Sequence, residues 1–417
     1  MIETSAEKER FVLAAVVNSV SGEAEVNLKE LALLIETGGN EAVAELIQKR
    51  EAAHPGHYLG KGKLEELKAL IERTGADAVV TDDELSASQR AAMEKALDVA
   101  VLDRTLIILD IFAKRASTAE GKAQVELAQY RHRLSHLIGL GASLSRLGGG
   151  IGARGPGESK LETDRRHIRT RIAQLNSELK DIASRRELLR ENRNKTGLPV
   201  VSMVGYTNAG KSTLMNSLTG AGVLAEDKLF ATLDTTTRAV SLPGGGKALF
   251  IDTVGFIRKL PHHLIQAFRA TLDELRYSDI LLHVVDAANP DCGDQMKVVY
   301  ETLDILGCKG KPIITAFNKT DLPVSFTPPD SVARAGINIS ALTGGNKDAL
   351  LSQIEKITRD LRKKNTLFIP YTEGRWVKLI HDRCEISHEE HTPEGAVIEA
   401  YLDDELAGRL KAYVVDH

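Results

Sequence analysis

The sequence predicts a multidomain α/β protein. It should hold an N-terminal α/β domain with an antiparallel helical hairpin, a central domain with a mostly parallel sheet, and a small C-terminal α+β domain. Three observations predict this. Apolar runs of strand length alternate with helically spaced segments over 1–115 and again over 198–364. Between those stretches lie two long segments whose apolar residues recur at intervals of three and four. Four short glycine- or carboxylate-bearing motifs follow strand-length runs of the second stretch in a fixed order.

Residues 11–17 (Phe-Val-Leu-Ala-Ala-Val-Val) read as a buried strand. Helical spacing follows from Leu28 to Glu36, and Ala42–Ile47 fits either strand or helix. Leu64–Arg73 reads as a helix, 78–80 as a strand, Ser86–Leu97 as a helix and Val99–Leu102 as a strand. The pattern changes near Gly121. Leu127, Tyr130, Leu134 and Leu137 share one helical face. A glycine-rich break, Arg146 to Gly157, precedes a second helix over 162–191. There Ile168, Ile172, Leu175, Leu179 and Ile182 form a heptad seam, so 116–195 is expected to fold as a hairpin. Asn192–Gly197 reads as a linker.

Over 198–364 the strand candidates are 199–204, 238–242, 248–252, 280–286, 312–317 and 336–339. Pro243-Gly244-Gly245-Gly246 should turn the second and third into an antiparallel edge pair. Residues 365–417 read as Leu367–Pro370 strand, Arg375–Cys384 helix, Ala396–Leu402 strand and a last helix from Asp404. His388-Glu389-Glu390-His391, with His381 and Cys384 nearby, lacks a metal-ligand spacing and reads as a loop.

The motifs carry the chemistry. Gly205-Tyr206-Thr207-Asn208-Ala209-Gly210-Lys211-Ser212, continued by Thr213, joins an apolar strand to a helix. Such a loop aims N–H groups at a phosphate, places a lysine on the terminal phosphates and offers a serine hydroxyl to Mg2+. Asp252-Thr253-Val254-Gly255 supplies a second metal carboxylate, and the Gly255 N–H can meet a terminal phosphate. Asn318-Lys319-Thr320-Asp321 supplies a carboxylate for the guanine N1–H and exocyclic amine. Adenine lacks that donor pair, a mismatch worth about four orders of magnitude. Asn318 should tie this loop to the base and the Lys319 stem cover its face. Ser340-Ala341-Leu342 follows another strand, with the Ala341 N–H expected to reach the guanine oxygen. Phe230 to Arg238 is threonine-rich and reads as a first switch, with Thr232 favoured over Thr235 to Thr237 as the Mg2+ ligand. Lys211, Thr232 and Gly255 are the expected catalytic residues. Phe256 stands where many small GTPases carry a water-orienting glutamine, so slow intrinsic hydrolysis of GTP to GDP is expected.

Beyond these motifs, the chain resembles the HflX GTPases, a translation-factor-related class of P-loop GTPases, over nearly its whole length. The more specific matches are Gly121-Lys122 to Glu126-Leu127-Ala128-Gln129, and Gly149 to Glu158 with Leu161-Glu162-Thr163-Asp164-Arg165-Arg166. The resemblance implies a partner, the large ribosomal subunit and its rRNA. It also implies an activity, separation of stalled or idle ribosomes into subunits under stress. The N-terminal and helical regions would dock on the ribosome. GTP binding would favour splitting and hydrolysis release. Family members also use ATP through the amino-terminal region, but Gly60-Lys61-Gly62-Lys63 lacks the spacing of a second phosphate loop.

The composition agrees. Of 417 residues, 121–195 hold 16 Lys/Arg and 8 Asp/Glu, a net of +8 in a chain of −4, so the remainder carries −12. A local RNA footprint has that distribution, with Arg146, Arg154, Lys160, Arg165, Arg166, Arg169 and Arg171 as its residues. DNA is not an expected partner, and a monomer is expected. Three scattered cysteines give no disulfide framework. With a charged start and no bilayer-length apolar run, the expected location is cytoplasmic. Two other readings stay open: an ATP-dependent RNA remodeller regulated by the GTPase, and a GTP switch that recruits a protein partner.

Overall fold

The computed structural model describes residues 8–18, 23–147, 156–194, 198–220, 229–230, 235–261, 264, 272–324, 327–361, 363–402 and 404–415. The chain divides into two compact units. One joins Met1–Ile182 with Glu226–Asp234 and Ile257–Ala270; the other holds Ala183–Ala225, Thr235–Phe256 and Thr271–His417.

In the first unit, β1 (Arg10–Val17), β2 (Glu41–Lys49), β3 (Ala78–Thr81) and β4 (Ala100–Asp103) form a parallel sheet in the order β2-β1-β3-β4. Phe11 to Ala15 are all buried, as expected of a parallel strand covered on both faces. The ambiguous run at 42–47 is the edge strand β2. Between the strands run α1 (Glu23–Thr37), α2 (Lys61–Thr74) and α3 (Ala87–Leu97), and α4 (Arg104–Arg115) follows β4. Ser86 starts α3 with a capping box, its hydroxyl accepting from Gln89 N while Gln89 returns to Ser86 N. Gly60 is extended, and Lys61 opens α2. The Gly60–Lys63 run is thus a helix start.

Helices α5 (Ala119–Leu147) and α6 (Pro156–Asn194) make the hairpin, and α6 runs beyond the expected 162–191. Glu126 meets Arg171, whereas Leu137 lies further along α5 and meets Arg165, earlier on α6. The two directions are therefore opposed. Ala123, Leu127 and Leu175 are buried together, with Tyr130, Ile172 and Leu179 packed on them. This is most of the predicted seam.

In the second unit a six-stranded sheet has the order β10-β9-β8-β5-β7-β6. Its strands are β5 (Val200–Val204), β6 (Thr236–Ser241), β7 (Lys247–Asp252), β8 (Ile280–Asp286), β9 (Ile313–Asn318) and β10 (Ala335–Asn338). All pairs are parallel except β6 with β7, the edge hairpin that the Pro-Gly-Gly-Gly turn predicted. Helices α7 (Lys211–Thr219), α8 (Cys292–Ile305) and α9 (Lys347–Leu361) belong to it, and Leu350, Ile354 and Ile357 of α9 join the core with Val201, Met203 and Leu282.

The chain ends in an antiparallel sheet, β11 (Lys363–Pro370), β13 (Gly395–Leu402) and β12 (Glu385–His391), ordered β11-β13-β12. Helices α10 (Gly374–Arg383) and α11 (Asp404–Arg409) bring Ile380 and Leu406 to its core. The loop expected at His388–His391 is strand β12. Its charged residues belong to an edge strand, whose outer face carries little apolar signal. Glu389 pairs there with His381 at 2.9 Å.

Candidate nucleotide site

The first, second and third motifs start where β5, β7 and β9 end, and the fourth follows β10. This is the carboxyl edge of the parallel sheet, where open α/β sheets bind ligands. Gly205 to Gly210 leave β5, and Lys211 opens α7. Gly210 has φ +92°, and a Cβ there would collide with Asn318 Nδ2. A Cβ on Gly255 would lie 2.8 Å from Thr207 Cα and 3.1 Å from Lys211 Nζ. Both glycines are therefore required by close approach.

Lys211 is buried, and its Nζ donates to the carbonyls of Gly205 (3.2 Å) and Tyr206 (2.8 Å). Burial lowers its pKa from 10.5 to about 8, partly offset by the Asp252 charge. The ammonium thus sits inside the loop that the helix N-terminus makes electropositive, a combination suited to an anion. Ser212 Oγ donates to Asp252 Oδ2 at 2.8 Å, so the first two motifs meet. Thr207 Oγ1 is buried without a hydrogen-bond partner.

Asp252-Thr253-Val254-Gly255 is fastened to the loop below it. Thr253 Oγ1 donates to Met203 O, Phe256 N to Gly205 O, and Thr207 N to Phe256 O. The Phe256 ring is buried and offers no polar atom to a water. Its backbone is what bridges the two motifs, a role that no side-chain reading could find.

Asn318 holds two further loops together. Its Nδ2 donates to Ala209 O (2.9 Å) and its Oδ1 accepts from Ala341 N (2.9 Å). The Ala341 N–H expected at a guanine oxygen is therefore engaged by Asn318 in this structure. Asp321 is exposed, and its Oδ1 accepts from Ser340 Oγ at 2.5 Å. Ser340 thus aims the carboxylate. Lys319 has φ +64°, and its Nζ pairs with Asp286 Oδ2 at 2.7 Å. Leu342 is 78% exposed.

Other expected residues fare differently. Phe230, which opens the expected first switch, is buried with its ring edge-on to Phe112 of α4 at 4.7 Å. That gives it a packing role in the first unit. Thr232 lies outside the described residues, as do the side chains of Arg146, Arg154 and Lys160. Arg171 makes a bidentate pair with Glu126 (2.8 and 2.9 Å), and Arg165 donates to Leu137 O at 2.7 Å. Those two arginines serve the hairpin itself. Arg166 and Arg169 are exposed, the latter 3.8 Å from Glu162.

Comparison with known proteins agrees with this geometry. Residues 25–113 match the family described as GTP-binding GTPase N-terminal, 115–193 GTP-binding GTPase Middle Region, and 200–319 50S ribosome-binding GTPase. GTPase HflX of Lacrimispora saccharolytica is 52% identical over 411 residues, covering 98% of this chain and 97% of its own. GTPase HflX of Caldanaerobacter subterraneus subsp. tengcongensis is 47% identical, covering 100% of this chain and 96% of its own. A solved structure of SsGBP in complex with GDP aligns with 85% of this chain and 99% of its own, at 24% identity and a TM-score of 0.46. With its motifs gathered at one sheet edge and near-full-length relatives above 45% identity, this chain belongs to the HflX family of GTPases.

Proposed function

We propose that this GTPase binds the large ribosomal subunit and its rRNA, and that its GTP-bound form separates stalled or idle 70S ribosomes under stress. Hydrolysis then resets the protein for release. The observation that carries this reading is the match of residues 200–319 to a 50S ribosome-binding GTPase. The net charge of +8 over 121–195 supports it, because rRNA attracts a localised cationic surface even on an acidic chain. Within that surface Arg166 and Arg169 are the better-placed phosphate partners, since Arg165 and Arg171 are engaged inside the hairpin.

Ser212 and Asp252 suit Mg2+: two hard oxygen donors stand 2.8 Å apart beside the phosphate loop. When bound, the metal neutralises charge on the β- and γ-phosphate oxygens. Lys211 grips the phosphates, Gly255 offers its N–H, and Asp321, held by Ser340, reads the guanine edge. Buried Phe256 supplies no water-orienting group, which fits slow hydrolysis until the ribosome supplies order.

The segment that follows Gly255 also offers the phosphate state a route to the amino-terminal sheet. Lys259, four residues beyond Gly255, pairs with Asp82 (2.5 Å) and Asp83 (2.7 Å), which follow β3. No helix among the described residues is long and apolar enough to cross a membrane. A cytoplasmic monomer is part of the proposal.

Sedimentation of 70S ribosomes with the protein and a non-hydrolysable GTP analogue tests the reading. Subunit peaks are expected. Protein absent from ribosomal fractions, or ATP-dependent RNA unwinding without splitting, would overturn it.

A further inference from the structure

We propose that Asp103, His132 and His136 bind a divalent transition metal of the Zn2+ type, clamping α5 to the amino-terminal sheet. This is separate from the guanine-nucleotide site. Among the described residues it is the one cluster in which three such side chains each bring a ligand atom within 4.8 Å of the others.

The spacing is the first argument. His132 Nε2 lies 3.2 Å from His136 Nε2 and 3.6 Å from Asp103 Oδ2. Ligands about 2.0–2.1 Å from a tetrahedral metal stand roughly 3.3–3.4 Å apart. Two edges of the coordination polyhedron therefore exist already. The remaining edge closes by movement of His136, the half-buried member.

Chain placement is the second. His132 and His136 are four residues apart on α5 and so share one face of the helix. Asp103 ends β4, and its carboxylate is fixed from behind. Oδ1 accepts from Leu106 N at 3.0 Å, capping α4, and Oδ2 accepts from Leu85 N at 3.5 Å. Such outer hydrogen bonds orient a metal carboxylate. Asp103 and His132 are both about 1–3% exposed, so the site is dry on the sheet side.

His136 supplies the third. Its Nδ1 is buried with no hydrogen-bond partner. A relay of proton-sharing rings, the ordinary alternative, satisfies the two facing Nε2 atoms and leaves that nitrogen stranded. A metal held through Nδ1 would satisfy it, in place of the 3.2 Å Nε2 edge, which the movement of His136 would then have to rebuild.

Two imidazoles and one carboxylate suit Zn2+, Co2+ or a similar ion and are too nitrogen-rich for Mg2+ or Ca2+. Three protein ligands leave at least one position for water or an anion. His132 and His136 line a cavity of about 890 Å3 bordered by both basic (Arg90, Arg133) and acidic (Asp110, Asp164) side chains, so that position opens onto a polar chamber of mixed charge.

The test is Co2+ titration of metal-depleted, nucleotide-free full-length protein. One equivalent should give the strong visible bands of low-coordinate cobalt. His136→Gln should weaken binding by more than about tenfold, and Asp103→Asn, which keeps the helix cap, should do likewise. His381→Gln should change nothing. Zn2+ should raise the melting temperature of the parent and not of His136→Gln, while GDP affinity of both stays equal. Absent bands, bands unaltered in His136→Gln, or bands lost in His381→Gln would each overturn the site.

Discussion

Two buried cations, one in each compact unit, are treated in opposite ways. Arg104 in the first unit is 2% exposed and meets carboxylates of Asp82 (2.6 Å) and Glu30. Lys211 in the second is 6% exposed, and its amine donates to backbone carbonyls. Arg104 is neutralised inside the fold. Lys211 is held by dipoles that position it, with the Asp252 charge acting only through space, so attraction remains for an anionic ligand. Asp321 follows the same rule: a neutral hydroxyl, that of Ser340, holds it. Arg104 is thus paired with charges, while Lys211 and Asp321, the groups proposed to meet the phosphates and the base, are held by neutral groups.

Substitutions can break that contrast. The largest effect is expected at Asp321. Asp321→Asn should lower GDP affinity by about four orders of magnitude and raise that for xanthosine diphosphate, measured by calorimetry. Equal weakening of both would remove Asp321 from the readers. Arg104→Met should leave Asp82 and Glu30 poorly compensated and cost about 3–5 kcal/mol in urea unfolding, with GDP affinity intact. A parallel fall in affinity would show that Arg104 is no mere structural cation.

Lys211→Ala should do the reverse. GTP affinity should fall by about two to three orders of magnitude, with thermal stability unchanged or higher, because a buried ammonium is costly. The pH dependence sharpens this. Lys211 is depressed to about 8 from 10.5, so above pH 8 the folded chain sheds a proton that the unfolded chain keeps. Stability from this residue therefore rises between about pH 8 and 10.5. GTP binding needs the ammonium and should weaken about tenfold per pH unit above 8. A flat affinity profile would contradict the assignment. The smallest effect is expected at the half-exposed Lys259. Lys259→Ala removes a partner of Asp82 and should cost about 1–3 kcal/mol, since Arg104 still compensates that carboxylate. A loss as large as that of Arg104→Met would mean that the outer cation, rather than the inner one, holds Asp82.

Much of the nucleotide site was legible because its residues are contiguous. The loop from Gly205 to Ser212 and the run Asn318 to Asp321 are each set by local spacing beside an apolar strand. The contacts joining them were not legible. Phe256 bridges through its backbone, and Ser340 meets Asp321 only because β9 and β10 pair in parallel. Phe230 sits in a threonine-rich loop, and its edge-on packing against Phe112 is a tertiary contact that local composition does not announce. Strand β12 was lost because a charged edge strand has a loop's composition. The Asp103–His132–His136 group was invisible because α4 intervenes between β4 and α5, and no fixed spacing announces such a meeting.

Asn318 has a consequence for ligand choice. One short amide spans from Ala209 to Ala341, hydrogen-bonded at both ends. It works as a calliper. The gap between the base-reading loops and the phosphate loop is set by the length of a side chain that cannot stretch. If the proposed site holds, purine selection and triphosphate grip share one ruler, and lengthening it with Asn318→Gln should weaken both together.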